Sequence, residues 1–114
     1  MKFTSYIPKQ GDAIWINLNP QYGYEQAGNR PALVLSPVEY NKKVGLALLC
    51  PITTQIKGYP FEVLIPAGLT VSGVVLSDQI KSLDWRARNC QFICSLPKET
   101  TSEVLKKLYT ILFG

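Results

Sequence analysis

Short apolar segments, bounded by proline, glycine or asparagine, recur along most of this chain. Runs of β-branched and aromatic residues between such turn formers are typical of β-strands. The longest apolar run, Val44–Ile52, is predicted to be the central strand. Strands are predicted at residues 11–18, 32–36, 44–52, 61–65, 73–80 and 89–95.

Clear helical periodicity is confined to the C-terminal end of the chain. Apolar residues at helical spacing predict a helix over residues 99–112, and Gly114 lies where it should end. Thr100 to Glu103 has the spacing of a capping box, in which a threonine hydroxyl and the glutamate bond backbone N–H groups at the helix start. One helical turn is predicted at residues 38–43. Short strands followed by a terminal helix predict a mainly β (α+β) fold, a small barrel with the helix packed on it.

The length of 114 residues predicts a single domain, residues 1–114. No apolar run is long enough for a transmembrane helix, and the N-terminus lacks the apolar core of a signal peptide, so a cytoplasmic protein is predicted. The formal net charge of +4 is compatible with a phosphate-bearing partner. A solvated basic surface explains that charge equally well.

The chain contains three cysteines and no histidine. An odd number of cysteines argues against a disulfide framework, and Cys90 and Cys94 on one strand would lie about 13 Å apart, too far to bridge. Three dispersed thiols without histidine do not make a zinc site, so no metal and no cofactor are predicted. All three thiols, Cys50 included, are predicted to be buried and inert.

A polar loop at residues 19–31 carries the first candidate for chemistry. Glu25 and Arg30 lie near its end, with Gly28 between them and Pro31 leading into the next strand. Glycine allows a turn or a close approach to a ligand, and proline makes the exit rigid. Spacing alone favours a surface salt bridge between the two charges, worth about 0–1 kcal/mol, over a catalytic pair.

Two other polar segments could complete a site. A second loop is predicted at residues 53–60, where the Thr53 hydroxyl could hold a phosphate oxygen. In the same loop Lys57 and Tyr59 would suit single-stranded nucleic acid, whose bases stack and whose phosphates pair with cations. A connector is predicted at residues 81–88, and with Gln79 its basic residues form a third polar cluster. Ordinary turns explain each of these polar segments equally well, and core packing would explain Trp85.

The absence of histidine narrows the possible chemistry. It excludes Ser-His and Cys-His pairs, and the chain has neither a P-loop, a dinucleotide fingerprint nor a carboxylate cluster for two metals. The groups that remain are a carboxylate, one or more arginines and a hydroxyl. RNA cleavage through the substrate's own 2′-hydroxyl fits this set. A carboxylate could remove the proton of the 2′-hydroxyl, and arginine could stabilise the phosphorane-like charge. Arginine is also one candidate for the group that donates a proton to the leaving oxygen.

Several segments, in this order and spacing, resemble the MazF/PemK family of toxin endoribonucleases over nearly the whole chain. These segments are Tyr6-Ile7-Pro8, Gly11-Asp12-Ala13-Ile14-Trp15, Glu25-Gln26-Ala27-Gly28-Asn29-Arg30-Pro31, Val34-Leu35-Ser36-Pro37, Tyr40-Asn41, Pro51-Ile52-Thr53-Thr54, Lys57-Gly58-Tyr59-Pro60-Phe61-Glu62-Val63, Asp78-Gln79-Ile80-Lys81-Ser82 and Trp85-Arg86-Ala87-Arg88.

The resemblance implies an SH3-like barrel of about six to seven short strands with a C-terminal helix, acting as a homodimer. It implies metal-independent, sequence-specific cleavage of single-stranded RNA, leaving a 2′,3′-cyclic phosphate and a 5′-hydroxyl. It further implies a type II toxin-antitoxin system, with a cognate antitoxin whose acidic, disordered segment folds over the RNA site.

By the same resemblance the catalytic residues would be Glu25, Arg30 and Thr53. The implied RNA contacts are Gln26, Asn29, Lys57, Gln79, Lys81 and Arg86. Some relatives carry histidine where this chain has Asn29, and asparagine can hydrogen-bond a phosphate or base but cannot shuttle a proton near neutral pH.

Two other functions are compatible with the predicted fold, since fold does not determine function. One is a gyrase-poisoning toxin of the CcdB type, which binds a protein and needs no catalytic residues. The other is a non-catalytic SH3-like module that binds RNA or DNA. The combination of Glu25, Arg30 and Thr53 favours the nuclease.

Overall fold

The computed structural model describes residues 6–20 and 23–114. Residues 21–22, part of the predicted loop 19–31, and residues 1–5 lie outside the described residues. The elements are β1 (Asp12–Asn17), β2 (Asn29–Val34), α1 (Val38–Val44), β3 (Leu46–Thr53), β4 (Glu62–Leu64), β5 (Val74–Leu76), β6 (Lys81–Asp84), β7 (Gln91–Ser95) and α2 (Lys98–Phe113).

The strands form one antiparallel, seven-stranded sheet around β3. Its order is β4-β5-β3-β2-β1-β7, with β6 pairing β3 beside that path. The prediction of β3 as the central strand is confirmed, because it pairs with β2, β5 and β6. The predicted mainly β fold with a C-terminal helix is also confirmed. Among the described residues the end strands β4 and β7 do not pair with each other, so the barrel is an open one.

Both faces of the sheet are covered, as the alternation of side chains along each strand requires. In β1, Ala13 belongs to the apolar cluster beneath α2, which includes Val104 and Leu108. Its neighbour Ile14 belongs to the opposite cluster, around Trp85. Trp85 is only 4% exposed and donates its indole N–H to the Asn41 carbonyl at 3.0 Å, which confirms its interpretation as a core residue.

The start of α2 differs from the predicted capping box. The helix begins at Lys98 after Pro97, and no side chain caps it. Thr100 and Thr101 are buried in the first turn, so packing against the sheet, and not capping, explains them. The predicted end is confirmed, because the Gly114 N–H bonds the Thr110 carbonyl at 2.9 Å.

Several predicted boundaries were wrong. The connector at residues 81–88 begins with a strand, β6, whose residues pair with the first half of β3. The loop predicted to run to residue 31 ends earlier, because Asn29 and Arg30 already belong to β2, opposite Asn17 and Ile16. Thr53 is likewise the last residue of β3 and not the first of a loop.

All three cysteines are free. Cys50 is buried, but Cys90 and Cys94 are only partly buried, so the expectation of three buried thiols was right for Cys50 alone. Burial, and secondarily the charge of Asp78, raises the pKa of Cys50 to about 12. Burial raises the pKa of Cys90 to about 11, so neither thiol is ionised near neutral pH. Among residues 6–20 and 23–114 no helix is long and apolar enough to cross a membrane.

Candidate active site

The carboxylate of Glu25 lies in the β1–β2 loop, beside a lysine from another part of the chain. One of its oxygens is 3.2 Å from Lys81 Nζ at the start of β6. Lys81 is the more enclosed of the two, with 15% of its side chain exposed against 43% for Glu25. Among the described residues the cation that forms an ion pair with Glu25 is therefore Lys81 of β6, and not Arg30 as the loop spacing suggested.

Arg30 projects from β2 beside the same loop. It is exposed, and its Nε–H donates to the Ala27 carbonyl at 3.0 Å. This bond folds the arginine side chain back over the loop, while the strand ladder with Ile16 holds its backbone. An exposed guanidinium on a strand-anchored backbone can turn towards an anionic ligand at little structural cost.

The loop between β1 and β2 is tied to its surroundings by several hydrogen bonds. The Gln26 N–H donates to the Gln79 side-chain oxygen at 3.1 Å, and the Gly28 N–H donates to the Asn19 side-chain oxygen at 3.0 Å. Gly28 has a φ of +78°, a conformation that side chains rarely adopt. Gln79 and Lys81, from one segment after β5, therefore both hold the part of the loop that carries Glu25.

Thr53 ends β3 and is held from two sides. It is buried and paired with Val74 of β5, and its hydroxyl oxygen accepts the Gln55 N–H at 3.2 Å. Gly73, just before β5, lies directly against its carbonyl. The sheet therefore fixes the backbone of Thr53, and the loop that follows adds one hydrogen bond to its hydroxyl oxygen.

The following loop, residues 57–59, is organised around Glu62. The Glu62 carboxylate accepts the backbone N–H groups of Lys57, Gly58 and Tyr59, at 3.0 Å in the case of Gly58. The Tyr59 hydroxyl in turn donates to Asp78 Oδ2 at 2.7 Å. This bond is the main cause of the raised pKa of Tyr59, so the phenol remains a donor at neutral pH.

A cavity of about 340 Å³ opens between these segments. Four of the predicted site residues line it: Gln26, Thr53, Lys57 and Gln79. Aromatic rings, amides, a hydroxyl, one cation and two carboxylates thus surround one concave surface, which suits a ligand with flat rings and many hydrogen-bonding groups. The other lining residues are Tyr24, Gln55, Tyr59, Glu62, Leu76 and Asp78.

Comparison with known proteins identifies the family of this chain. Residues 9–112 match the family described as "PemK-like, MazF-like toxin of type II toxin-antitoxin system". The chain belongs to this family. It is 57% identical to the endoribonuclease toxin MazF of Escherichia coli K12 over 111 residues, which cover 97% of this chain and 98% of that protein.

Solved structures of MazF agree with that assignment. A crystal structure of MazF from Deinococcus radiodurans matches with a TM-score of 0.92 and 51% identity, covering 95% of this chain and 98% of the other. A MazE-MazF crystal structure from the same organism matches with a TM-score of 0.85 and 46% identity, covering 96% and 98% of the two chains.

In this MazF-like chain all of the predicted site residues except Arg86 fall into two groups. Glu25 and Lys81 form an ion pair, and Gln26 and Gln79, bonded to each other, link that pair to the cavity. Arg30 and Asn29 lie on the exposed start of β2.

Arg86 lies apart from the other predicted RNA contacts. Its guanidinium stacks 4.7 Å from the Trp85 ring, in a second cavity of about 500 Å³ that includes Tyr6 and Phe92. The two cavities have no lining residue in common. The structure therefore does not bring Arg86 together with the residues around Thr53.

Sequence reasoning missed two acidic residues of the cavity, Glu62 and Asp78. Acidic side chains are normally discounted as contacts of a polyanion, so residue type gave no reason to select them. The signal that was available is position, because Asp78 directly precedes Gln79 and Glu62 closely follows the Lys57–Tyr59 segment.

Proposed function

We propose that this chain is the toxin of a type II toxin-antitoxin system, an endoribonuclease that cuts single-stranded RNA in the cytoplasm. The names of its similar proteins support the activity. The observation that carries the proposal is the placement of Glu25, tied by Lys81 and the Gln26–Gln79 bond to the cavity that contains Thr53. As the proposed base, Glu25 would lie beside a surface on which RNA bases can stack and form hydrogen bonds.

Glu25 is the proposed general base. Its carboxylate would take the proton of the ribose 2′-hydroxyl, so that the 2′-oxygen attacks the adjacent phosphorus and the bond to the 5′-oxygen breaks. The products are a 2′,3′-cyclic phosphate and a 5′-hydroxyl. The 3.2 Å contact with Lys81 compensates the charge of the base before substrate binds. General acid-base catalysis of this kind contributes about 10²–10⁴-fold to the rate.

Arg30 and Thr53 are the proposed stabilisers of the transition state. The guanidinium would pair with the phosphate oxygens as negative charge builds up and would protonate the leaving 5′-oxygen. The Thr53 hydroxyl would donate to one phosphate oxygen, from a position that the sheet holds rigidly. None of these steps requires a metal ion, and no three His, Cys, Asp or Glu side chains converge on a metal-binding geometry within the described ranges.

The remaining implied contacts have distinct proposed roles. Lys57, Gln26 and Gln79 would contact RNA inside the cavity, whereas Asn29 would reach it from the exposed end of β2. Asn29 would donate a hydrogen bond to a phosphate or base and take no part in proton transfer. Arg86 would contact RNA only if the bound RNA strand extends to the second cavity.

Two protein partners are part of this proposal. An antitoxin with an acidic, disordered segment would cover the RNA site, and the MazE-MazF complex of Deinococcus radiodurans supports an antitoxin as partner. A homodimer would cover the apolar face of α2, where large side chains remain exposed. These side chains are Leu105, Tyr109, Ile111, Leu112 and Phe113.

Cleavage of a defined RNA, single-stranded or annealed to its complement, tests the proposed activity. We expect the purified protein to cut the single strand at a small set of sites, read by primer extension, and to leave the duplex intact, since only an unpaired strand can enter the cavity with its bases exposed. Intact single strands after incubation with a folded protein would contradict the proposal and favour a non-catalytic module or a gyrase-binding toxin.

A further inference from the structure

Asp78 is an acidic residue in a groove proposed to bind a polyanion. Its side chain is exposed and lines the cavity that contains Thr53. Oδ2 accepts the Tyr59 hydroxyl at 2.7 Å, while no described residue donates to Oδ1. The carboxylate is therefore oriented by one hydrogen bond and keeps an oxygen available for a ligand.

The other acidic residue of the cavity, Glu62, has a purely structural set of contacts. Both of its oxygens accept backbone N–H groups of residues 57–59, so its acceptor capacity is largely used within the loop. Asp78 has one phenol donor and no backbone donor within the described residues. This contrast separates a loop-organising carboxylate from one that is free to bind a ligand.

A carboxylate cannot bind a phosphate, because the two charges repel. In a bound RNA the groups that can face Asp78 are N–H and O–H donors. The rings of Tyr24 and Tyr59 line the same cavity and offer surfaces on which a base can stack, which would bring the edge of that base to Asp78. The geometry thus favours a base edge as the partner of this carboxylate.

The hydrogen-bonding pattern of the four bases determines which edges fit. Adenine, cytosine and guanine each carry an amino group with N–H donors, whereas uracil has a single ring N–H flanked by two carbonyl oxygens that repel a carboxylate. Gln79 adds a donor nearby, because its side-chain oxygen already accepts the Gln26 N–H and its amide nitrogen remains to donate. An acceptor beside a donor matches an amino group beside a ring nitrogen or carbonyl.

We propose that Asp78 is a specificity-determining residue, which accepts an N–H of an amino-bearing base at one position of the cut site and disfavours uracil there. This inference rests on the proposed ribonuclease function. It assigns Asp78 a role in choosing the RNA sequence, and none in the chemical step.

The test is a map of cut sites on an RNA library randomised around the scissile bond, for wild type and for Asp78→Asn. We expect wild type to exclude uracil at one position, and Asp78→Asn to accept uracil there about tenfold better, with preferences at the other positions unchanged. Asp78→Glu keeps the carboxylate and should keep the exclusion. Glu39→Gln, which removes an exposed carboxylate of α1 outside the cavity, should leave the whole map unchanged.

A role of Asp78 only in holding Tyr59 predicts a different result. In that case Asp78→Asn and Tyr59→Phe would slow cleavage at all sites alike and leave every base preference intact, which would overturn the inference but not the ribonuclease function. Absence of any cutting of the library by folded wild-type protein would overturn both. The Tyr59→Phe variant, which keeps both the carboxylate and the ring, is expected to retain the exclusion of uracil.

Discussion

We expect the Glu25→Gln variant to cut single-stranded RNA about 10²–10⁴ times more slowly than wild type. Glutamine has nearly the same shape as glutamate but cannot take a proton from the ribose 2′-hydroxyl. Histidine is absent from the chain, so no imidazole can replace the missing base. Initial cleavage rates on one defined RNA, measured with saturating substrate, give the comparison.

Stability should change little in the same variant. Glu25 and Lys81 form a partly exposed pair, and such pairs contribute about 0–1 kcal/mol, so the urea midpoint should stay close to that of wild type. Glu39→Gln is the matched control, because it makes the same chemical change on an exposed residue of α1 and should cleave at the wild-type rate. A Glu25→Gln variant that cleaves within threefold or so of the control would show that Glu25 is not the base.

The Gly73→Ala substitution should both destabilise the fold and reduce cleavage. An added Cβ would collide with the Thr53 carbonyl oxygen and lie 2.9 Å from Thr54 Cα, so the end of β3 must move. Gly73 also has a φ of +106°, and such strain alone costs about 1–3 kcal/mol in residues with a side chain. A displacement of the Thr53 hydroxyl by about 1 Å would slow cleavage about 10²-fold.

The Gly68→Ala substitution separates the effect of backbone strain from the effect of displacing Thr53. Gly68 has a φ of +92°, close to that of Gly73, but an added Cβ there would meet nothing within 4 Å. It should therefore lose stability through backbone strain alone and keep its cleavage rate per folded molecule. Urea unfolding and cleavage rates of both variants test this. Equal loss of cleavage in the two variants, or none in Gly73→Ala, would contradict the proposed role of the β3 end in positioning Thr53.

Most of the fold could be predicted from the chain because its strands are apolar runs between turn formers. The strand β6 was missed because Lys81–Asp84 alternates partly buried and exposed side chains with charges at both ends, and only its pairing with β3 makes it a strand. The prediction of a capping box was wrong for a similar reason. Thr100 and Thr101 are buried against the sheet, and burial of this kind is a tertiary effect that local spacing cannot reveal.

The site could be predicted in part. Glu25, Arg30 and Thr53 were selected by residue type and family resemblance, and their catalytic roles stay a prediction. The partner of Glu25 was not predicted from spacing, because Lys81 is far along the chain and reaches the loop only through the sheet. Asp78 was missed because its proposed role depends on its bond to Tyr59 and on its position in the cavity. Residue type indicates neither of these.

The chemical ends of the RNA fragments, produced in excess chelator, test the central claim most directly. We expect wild-type protein in excess EDTA to cut single-stranded RNA at its usual rate. The downstream fragments should carry a 5′-hydroxyl, which polynucleotide kinase labels without prior phosphatase treatment. Loss of cleavage in EDTA with recovery on adding Mg²⁺, or fragments with 5′-phosphates, would contradict metal-free attack by the 2′-hydroxyl with Glu25 as base.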